Sequence, residues 1–331
     1  MELSIFEDSK VLITGACGLI GRALVKKLIF HSGEKPIEVY ALVRNKEKAC
    51  AMFSEFPQEQ LHFIVGDVCQ FAPENLGINY IVHGASKTAS KEFVAEPVEV
   101  ILNSVYGTKN LLEFARVNPI KGFVYLSTME VYGAPATDEK ITEDYASNIN
   151  PMSVRSSYPE SKRMCENLCA AYVSEYSVPA KVARLTQTFG EGVAYNDGRV
   201  FAEFARCIIE GRDIVLKTKG ETKRNYIDVY DAADAIFTVL VNGNAGEAYN
   251  VANEDTYCSI YEMAEMVANE FGEGKVSVRI EECGDVEKLG YAKTLKMNLS
   301  TQKLRALGWK PSSPLKTIYA KMIEYMKKNG I

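Results

Sequence analysis

Six short apolar runs set the frame of the first 185 residues: VLITG (11–15), EVYALV (38–43), HFIVGD (62–67), YIVHGA (80–85), GFVYLST (122–128) and AKVARLT (180–186). Each ends in small or polar residues, and segments of helical spacing alternate with them. After the first run, Ile20, Ala23, Leu24 and Leu28 recur every three or four positions, so that segment buries one face as a crossover helix does. Strands that alternate with helices predict a parallel sheet, doubly wound, of the Rossmann type within the α/β class. In such a sheet ligands collect outside the carboxyl ends of the strands. Beyond Arg184 the pattern changes to longer loops, short helices and isolated strands, with no repeat and no low-complexity linker.

This second part reads as a smaller α/β unit that receives the substrate. Residues 222–241 (TKRNYIDVYDAADAIFTVLV) regain a strand-then-helix pattern and are expected to pack back on the larger unit. The expected division is therefore 1–184 plus about 224–245 for the dinucleotide-binding part, and 185–223 plus about 246–331 for the substrate part. Segments 250–271 and 299–309 read as helix-bearing pieces of the smaller one.

The junction of the first strand and helix carries the most specific chemistry. Gly15, Gly18 and Gly21 punctuate TGACGLIG. A strand turning sharply into a helix aims unpaired N–H groups and the positive end of the helix dipole at one point, where a pyrophosphate can sit. The first glycine permits the turn, the second the close approach of phosphate, and the third the packing of helix on strand. At the end of the second run, an acid would accept hydrogen bonds from a ribose 2′-hydroxyl. This chain has Arg44 there, with Lys46 and Lys48 close by, which favours a 2′-phosphate and hence NADP over NAD. Asp67 closes the third run within reach of an adenine amino group, and Ala85 and Ser86 leave space for a cofactor after the fourth. His83, at the end of a buried strand, reads as a structural residue.

A chain of 331 residues with 47% hydrophobic content can bury a substantial core. The net charge of −5 argues against a nucleic-acid partner. No apolar run approaches membrane-spanning length, and the first strand begins within about ten residues of the start, so a cytoplasmic protein is expected. Eight cysteines are scattered without a CxxC pair, and no metal site is expected. Cys165 and Cys169 share a helical face with Met164, Leu168 and Tyr172 and read as core. Cys17, at a helix N-terminus, is a thiol whose pKa that position can lower.

Tyr158 and Lys162 stand four apart, on one face of a helix. Ser157 and Glu160 form a capping-box pattern with Pro159 in the first turn, so the helix is expected to begin at the tyrosine. A phenol is a poor base near neutrality, and an ammonium within a few ångströms brings its pKa down. Thr128, at the carboxyl end of the fifth run, is placed to hold the hydroxyl that Tyr158 deprotonates, while Ser127 points to the other face. Hydride then leaves the same carbon for a nicotinamide. Arg224 is the first candidate for substrate phosphate, with Arg199 next.

Together TGACGLIG, GDV (66–68), HGAS (83–86), NSVYGTKNLLEFA (103–115), STMEVYG (127–133), YPESK (158–162), RNYIDVYD (224–231), GEAYNVAN (246–253) and LGWKP (307–311) make the chain resemble the extended short-chain dehydrogenases/reductases that act as nucleotide-sugar epimerases, dehydratases and decarboxylases. The resemblance spans nearly the whole length. It implies a Thr128, Tyr158, Lys162 triad with Glu130 as a further acid–base group. It also implies an NAD(P) held by Gly15, Cys17, Gly18, Leu19, Ile20, Gly21, Arg44, Asp67, Val68, Ala85, Ser86, Asn103, Tyr158 and Lys162. A nucleoside-diphosphate sugar oxidised at C4 to a transient ketone would meet Gln187, Arg199 and Arg224, and a homodimer would form through a four-helix bundle. Relatives that dehydrate often carry Asp-Glu where this chain has Met129-Glu130, and a thioether cannot donate a proton; Met129 reads as packing. Gln187 replaces the usual asparagine. Two other readings stand beside this one: an NADPH-consuming reductase of a keto group on an activated sugar or sugar phosphate, and a silent dinucleotide sensor.

Overall fold

The computed structural model describes residues 2–71, 76–88, 90, 92–282 and 294–330. The six apolar runs become strands β1 (Lys10–Thr14), β2 (Glu38–Val43), β3 (Leu61–Val65), β4 (Tyr80–His83), β5 (Gly122–Thr128) and β6 (Ala180–Leu185). Between them lie α1 (Leu19–Ile29), α2 (Lys46–Met52), α3 (Glu92–Ala95), α4 (Pro97–Val117) and α5 (Ser157–Tyr176). Then follow β7 (Gln187–Phe189), α6 (Val200–Glu210), β8 (Ile214–Leu216), β9 (Lys223–Asp228), α7 (Val229–Asn242), β10 (Ala248–Val251), β11 (Asn253–Ser259), α8 (Ile260–Phe271), β12 (Val278–Ile280), β13 (Lys296–Met297), α9 (Gln302–Ala306) and α10 (Leu315–Asn329).

The central sheet has seven strands, all parallel, in the order β10-β6-β5-β4-β1-β2-β3. Its inner strands are buried on both faces, which is why they read as continuous apolar runs rather than alternating ones. One face packs against α1 and α7 through Val11, Ile13, Leu24, Leu28, Ile236 and Leu240. The other packs against α4 and α5 through Leu12, Ile81, Leu111, Phe123, Cys165 and Cys169. The two cysteines are core, as their spacing indicated, whereas Met164 turns out to be exposed.

A second sheet joins β11, β9 and β13, with β7 on β9. Beneath it α6, α8 and α10 enclose a separate core containing Phe189, Phe204, Tyr226, Met263, Tyr319 and Met322. Leu19 packs against both this core and the larger one. Two strands fall on the other side of the expected boundaries: β9 pairs within the smaller sheet, and β10 is the edge of the central one. Only the helix of the 222–241 segment lies against the large sheet. The reason is local: Asp228 caps α7 by accepting from Tyr230 N–H at 2.9 Å, so the chain turns there from one sheet to the other. The final helix α10 escaped the reading of the sequence, although Ile318, Tyr319, Met322, Ile323 and Met326 carry the helical period and are buried.

Among the described residues no helix is long and apolar enough to cross a membrane.

Candidate active site

At the carboxyl end of β1 the backbone does the work. Gly15 has φ +74°, and a Cβ there would lie 2.7 Å from the backbone of Gly84. A Cβ on Gly21 would lie 2.1 Å from the Gly15 carbonyl oxygen, so helix and loop touch only because that side chain is missing. Gly18, the N-cap of α1, is different: its nearest contact from an added Cβ is Gly15 O at 3.2 Å. No side chain caps α1, so the N–H groups of its first turn, from Leu19 to Gly21, remain for a ligand. This geometry fits a dinucleotide pyrophosphate. Cys17 is half-buried beside the loop, and burial pushes its thiol pKa up with Lys48 opposing, in keeping with a small residue that fills the loop.

Thr14 locks the loop from below, a role the sequence did not disclose. Gly84 and Ala85 donate backbone N–H groups to Thr14 Oγ1 at 3.2 and 3.1 Å, which directs the Thr14 proton toward His83 Nδ1 at 2.8 Å. His83 Nε2 then donates to Thr108 Oγ1 at 3.1 Å, and Thr108 donates to Ser104 O at 2.7 Å. Burial holds the imidazole pKa down to about 3, with Lys162 adding to the effect, so His83 is a neutral relay between β1, β4 and α4. It is structural, through side-chain hydroxyls.

Around the loop, Arg44 is exposed just past β2, and Asn45 caps α2 by accepting from Lys48 N–H at 2.8 Å. Asp67 caps a turn by accepting from Cys69 N–H at 2.8 Å. Val68 packs over Gly107 of α4, where a Cβ would lie 2.8 Å from its methyl group. Asn103 binds back to Glu99 O at 3.0 Å, and Ser86 Oγ lies 3.5 Å from Ser104 Oγ.

The end of β5 gathers the acid–base groups. Thr128 Oγ1 accepts from Glu130 N–H at 3.3 Å, and Ser127 turns away to donate to Glu166 at 2.5 Å. Tyr158 is buried, and the Thr128 hydroxyl beside it draws its pKa down. Lys162 is buried, donates to Leu126 O at 2.8 Å and lies 5.8 Å from the Tyr158 ring centre. Helix α5 starts at Ser157, but without the expected capping box: the Ser157 hydroxyl donates to Phe93 O at 2.9 Å instead.

The electrostatics differ from the simple ammonium–phenol pair. Burial raises the Tyr158 pKa and Glu130 raises it further, whereas the Thr128 hydroxyl and Arg155 draw it down. Lys162 itself is brought down to about 8 by burial. Arg155, which donates to Glu130 at 2.9 Å, is thus a second cation beside the phenol, with Lys162 one helical turn along.

Met129 is buried with Val131, Tyr132, Met297 and Leu299, its sulfur accepting from Thr186 Oγ1 at 3.4 Å. Of the three substrate candidates, Gln187 and Arg224 lie on neighbouring strands, and Arg224 Nε is buried without a hydrogen-bond partner among the described residues. Arg199 lies elsewhere. It is paired with Asp197 at 2.6 Å and lines a cleft of about 650 Å³ with Cys17, Gly18 and Leu19, so its charge is already matched beside the glycine loop.

The profile of the NAD dependent epimerase/dehydratase family matches residues 11–252. The chain belongs to this family. It is an enzyme of the extended short-chain dehydrogenase/reductase type, whose cofactor is an NAD(P) dinucleotide. Among similar proteins, UDP-glucuronic acid decarboxylase 1 of Xenopus tropicalis is 28% identical over 327 residues, covering 98% of this chain and 74% of that protein. UDP-glucuronic acid decarboxylase 6 of Arabidopsis thaliana is 28% identical over 309 residues, covering 93% and 86%. The fold matches that of a UDP-glucose 4-epimerase from Thermotoga maritima solved with UDP-glucose, with a TM-score of 0.79, 20% identity and coverage of 96% and 99%. It also matches a dTDP-glucose 4,6-dehydratase from Streptomyces venezuelae solved with NAD, with a TM-score of 0.78, 22% identity and coverage of 97% of each chain.

Proposed function

We propose that this epimerase/dehydratase-family enzyme oxidises C4 of a nucleoside-diphosphate sugar and then removes carbon dioxide from it, with UDP-glucuronate as the first substrate to test. The observation that carries the reading is the gathering of Thr128, Tyr158, Lys162 and Glu130 at the end of β5, together with Met129 buried among apolar side chains. Thr128 holds the C4 hydroxyl and Tyr158 takes its proton. The nicotinamide, when bound, supplies the hydride acceptor. Lys162 orients the ribose and stabilises the phenolate. A C4 ketone is β to the C6 carboxylate, so the C5–C6 electron pair moves onto the ketone oxygen as carbon dioxide leaves, and C5 regains a proton from the side of Glu130. Tyr158 would then give its proton back to the C4 oxygen while the hydride returns to C4, restoring the oxidised cofactor. Dehydration by the Asp-Glu pattern would lack its proton donor here, since position 129 holds a thioether; decarboxylation needs no acid at that position. The 28% identity to UDP-glucuronic acid decarboxylases over 98% of the chain supports the same choice.

Smaller assignments go with it. The β7–β9 edge, with Gln187 and Arg224, receives the nucleotide phosphates, and the smaller sheet with α6, α8 and α10 forms the substrate half. Arg44 and Lys48 favour NADP; Lys48 shares a second cleft with Arg22 and Met52 near the glycine loop. Exposed Val98, Ile101, Leu102 and Tyr106 on α4 with Met164 on α5 form the apolar face through which two copies pair.

The test is a panel of UDP-glucuronate, UDP-glucose, dTDP-glucose and GDP-mannose with NAD or NADP, with products read by mass and the reduced cofactor by absorbance. Loss of carbon dioxide from UDP-glucuronate without net cofactor consumption is the expected result. Loss of water, or unchanged mass with altered retention, would move the second half-reaction to dehydration or epimerisation. A second reading, reduction of a keto sugar, is favoured by the basic groups beside Arg44 and would show as stoichiometric consumption of NADPH.

A further inference from the structure

Four side chains from four segments form one connected wall over the catalytic tyrosine. Phe93, on α3, lies flat against the Tyr158 ring, with centres 4.2 Å apart and planes at 7°. The Arg155 guanidinium stands over the Phe93 ring at 4.7 Å. The same guanidinium donates to Glu130 at 2.9 Å, and Ser157 ties the Phe93 carbonyl to the start of α5. We propose that Arg155 is a positioning residue that clamps α3 over Tyr158 and holds Glu130 in place, so that one guanidinium governs both the group that takes the C4 proton and the group that serves C5. This rests on the C4-oxidation reading above for its catalytic half, and on the wall itself for its conformational half.

A ring stacked on Tyr158 excludes water from one face of the phenol and fixes its plane, yet α3 is a helix of only four residues with little structure of its own to keep it there. The cation over Phe93 and the Ser157 hydrogen bond supply that restraint. The groups around Tyr158 are Thr128 and Tyr125 from β5, Glu130 from the turn after it, Arg155 from the turn before α5, and Lys162 one helical turn along. Glu130 and Arg155 act on the phenol in opposite directions, so their ion pair keeps the two effects balanced.

Two measurements test it. Hydrogen–deuterium exchange on the cofactor-free protein follows the peptide covering 92–100. Arg155→Met is expected to speed exchange there several-fold with β5 unchanged, and Arg155→Lys, which keeps the charge but loses the planar face, by a smaller factor. Single-turnover reduction of the cofactor is then followed against pH with the substrate found active. The rising limb should move to higher pH by about one unit in Arg155→Met. It should move to lower pH in Glu130→Gln and return toward wild type in the double variant. Unchanged exchange in Arg155→Met, or a uniform fall in rate with the limb unmoved, would overturn the proposal. Altered exchange with no nucleotide sugar turned over would uphold the clamp and sink the C4-oxidation reading instead.

Discussion

The glycine loop after β1 and the Tyr158 corner after β5 are built by different means. At the glycine loop the geometry is a matter of backbone: a positive φ at Gly15, a missing Cβ at Gly21 and N–H groups of α1 that no side chain caps fit a phosphate with almost no side-chain chemistry. At the Tyr158 corner, the backbone only delivers side chains, and the outcome depends on how Thr128, Glu130, Arg155 and Lys162 share charge in a buried space. A site made from backbone is fixed by local sequence, whereas a site made from buried charges is fixed by whatever the rest of the fold brings near.

The sharpest contrast is chemical. Tyr158→Phe keeps the ring and its stack on Phe93 but removes the proton acceptor; the rate of cofactor reduction should fall by about 10³-fold with cofactor affinity nearly unchanged. Stopped-flow absorbance and a binding titration check both halves, and near-normal turnover would dismiss the assigned base.

Within the loop the glycines should not be equivalent. Gly21→Ala forces a Cβ into a backbone carbonyl and is expected to cost about 1–3 kcal/mol of stability, seen as a lower melting temperature. Gly18→Ala, meeting only one atom at 3.2 Å, should leave the free protein's melting temperature close to wild type while weakening the dinucleotide. Equal losses of stability in both would erase the distinction between a packing glycine and a ligand glycine.

Lys162 tests the buried-charge end. Its folded pKa, about 8, lies below the ordinary lysine value, so the unfolded chain binds more protons between those two limits. By linkage, this group makes the protein less stable below pH 8 and relieves that cost as pH rises toward 10. Lys162→Met should therefore melt no lower than wild type at pH 7, and higher by a few degrees if the lost hydrogen bond to Leu126 matters little. Its advantage should shrink above pH 8 while activity stays lost. A difference that is flat across that range would show that the ammonium is not penalised.

The smallest effect is at the cofactor's far end. Arg44→Ala is expected to weaken NADP about tenfold, or about 1.4 kcal/mol, with NAD little changed in equilibrium binding. Equal effects on the two would remove the preference for the 2′-phosphate.

Much of the architecture was legible from the chain. Continuous apolar runs separated by helical spacing identify six parallel strands, because a strand covered on both faces has no polar side to show. The glycine spacing identifies the turn after β1 for the reason already given. What was not legible is long-range. Thr14 and His83 reveal their relay only when β1 and β4 lie side by side, and Phe93, which stacks on Tyr158, is 65 residues away from it in sequence. Strand β9 looks like any strand of the large sheet until its partners β7 and β11 are known.

The amino-acid sequence by itself determined the sheet, the glycine turn after β1 and the pairing of Tyr158 with Lys162 on one helical face, since each follows from steric rules acting over a few residues. Only the tertiary structure decided how charge is shared around the phenol. Burial sets the cost of every charge at that corner, and burial is a property of the assembled fold: it lowers Lys162, raises Tyr158 and leaves Arg155 to balance Glu130.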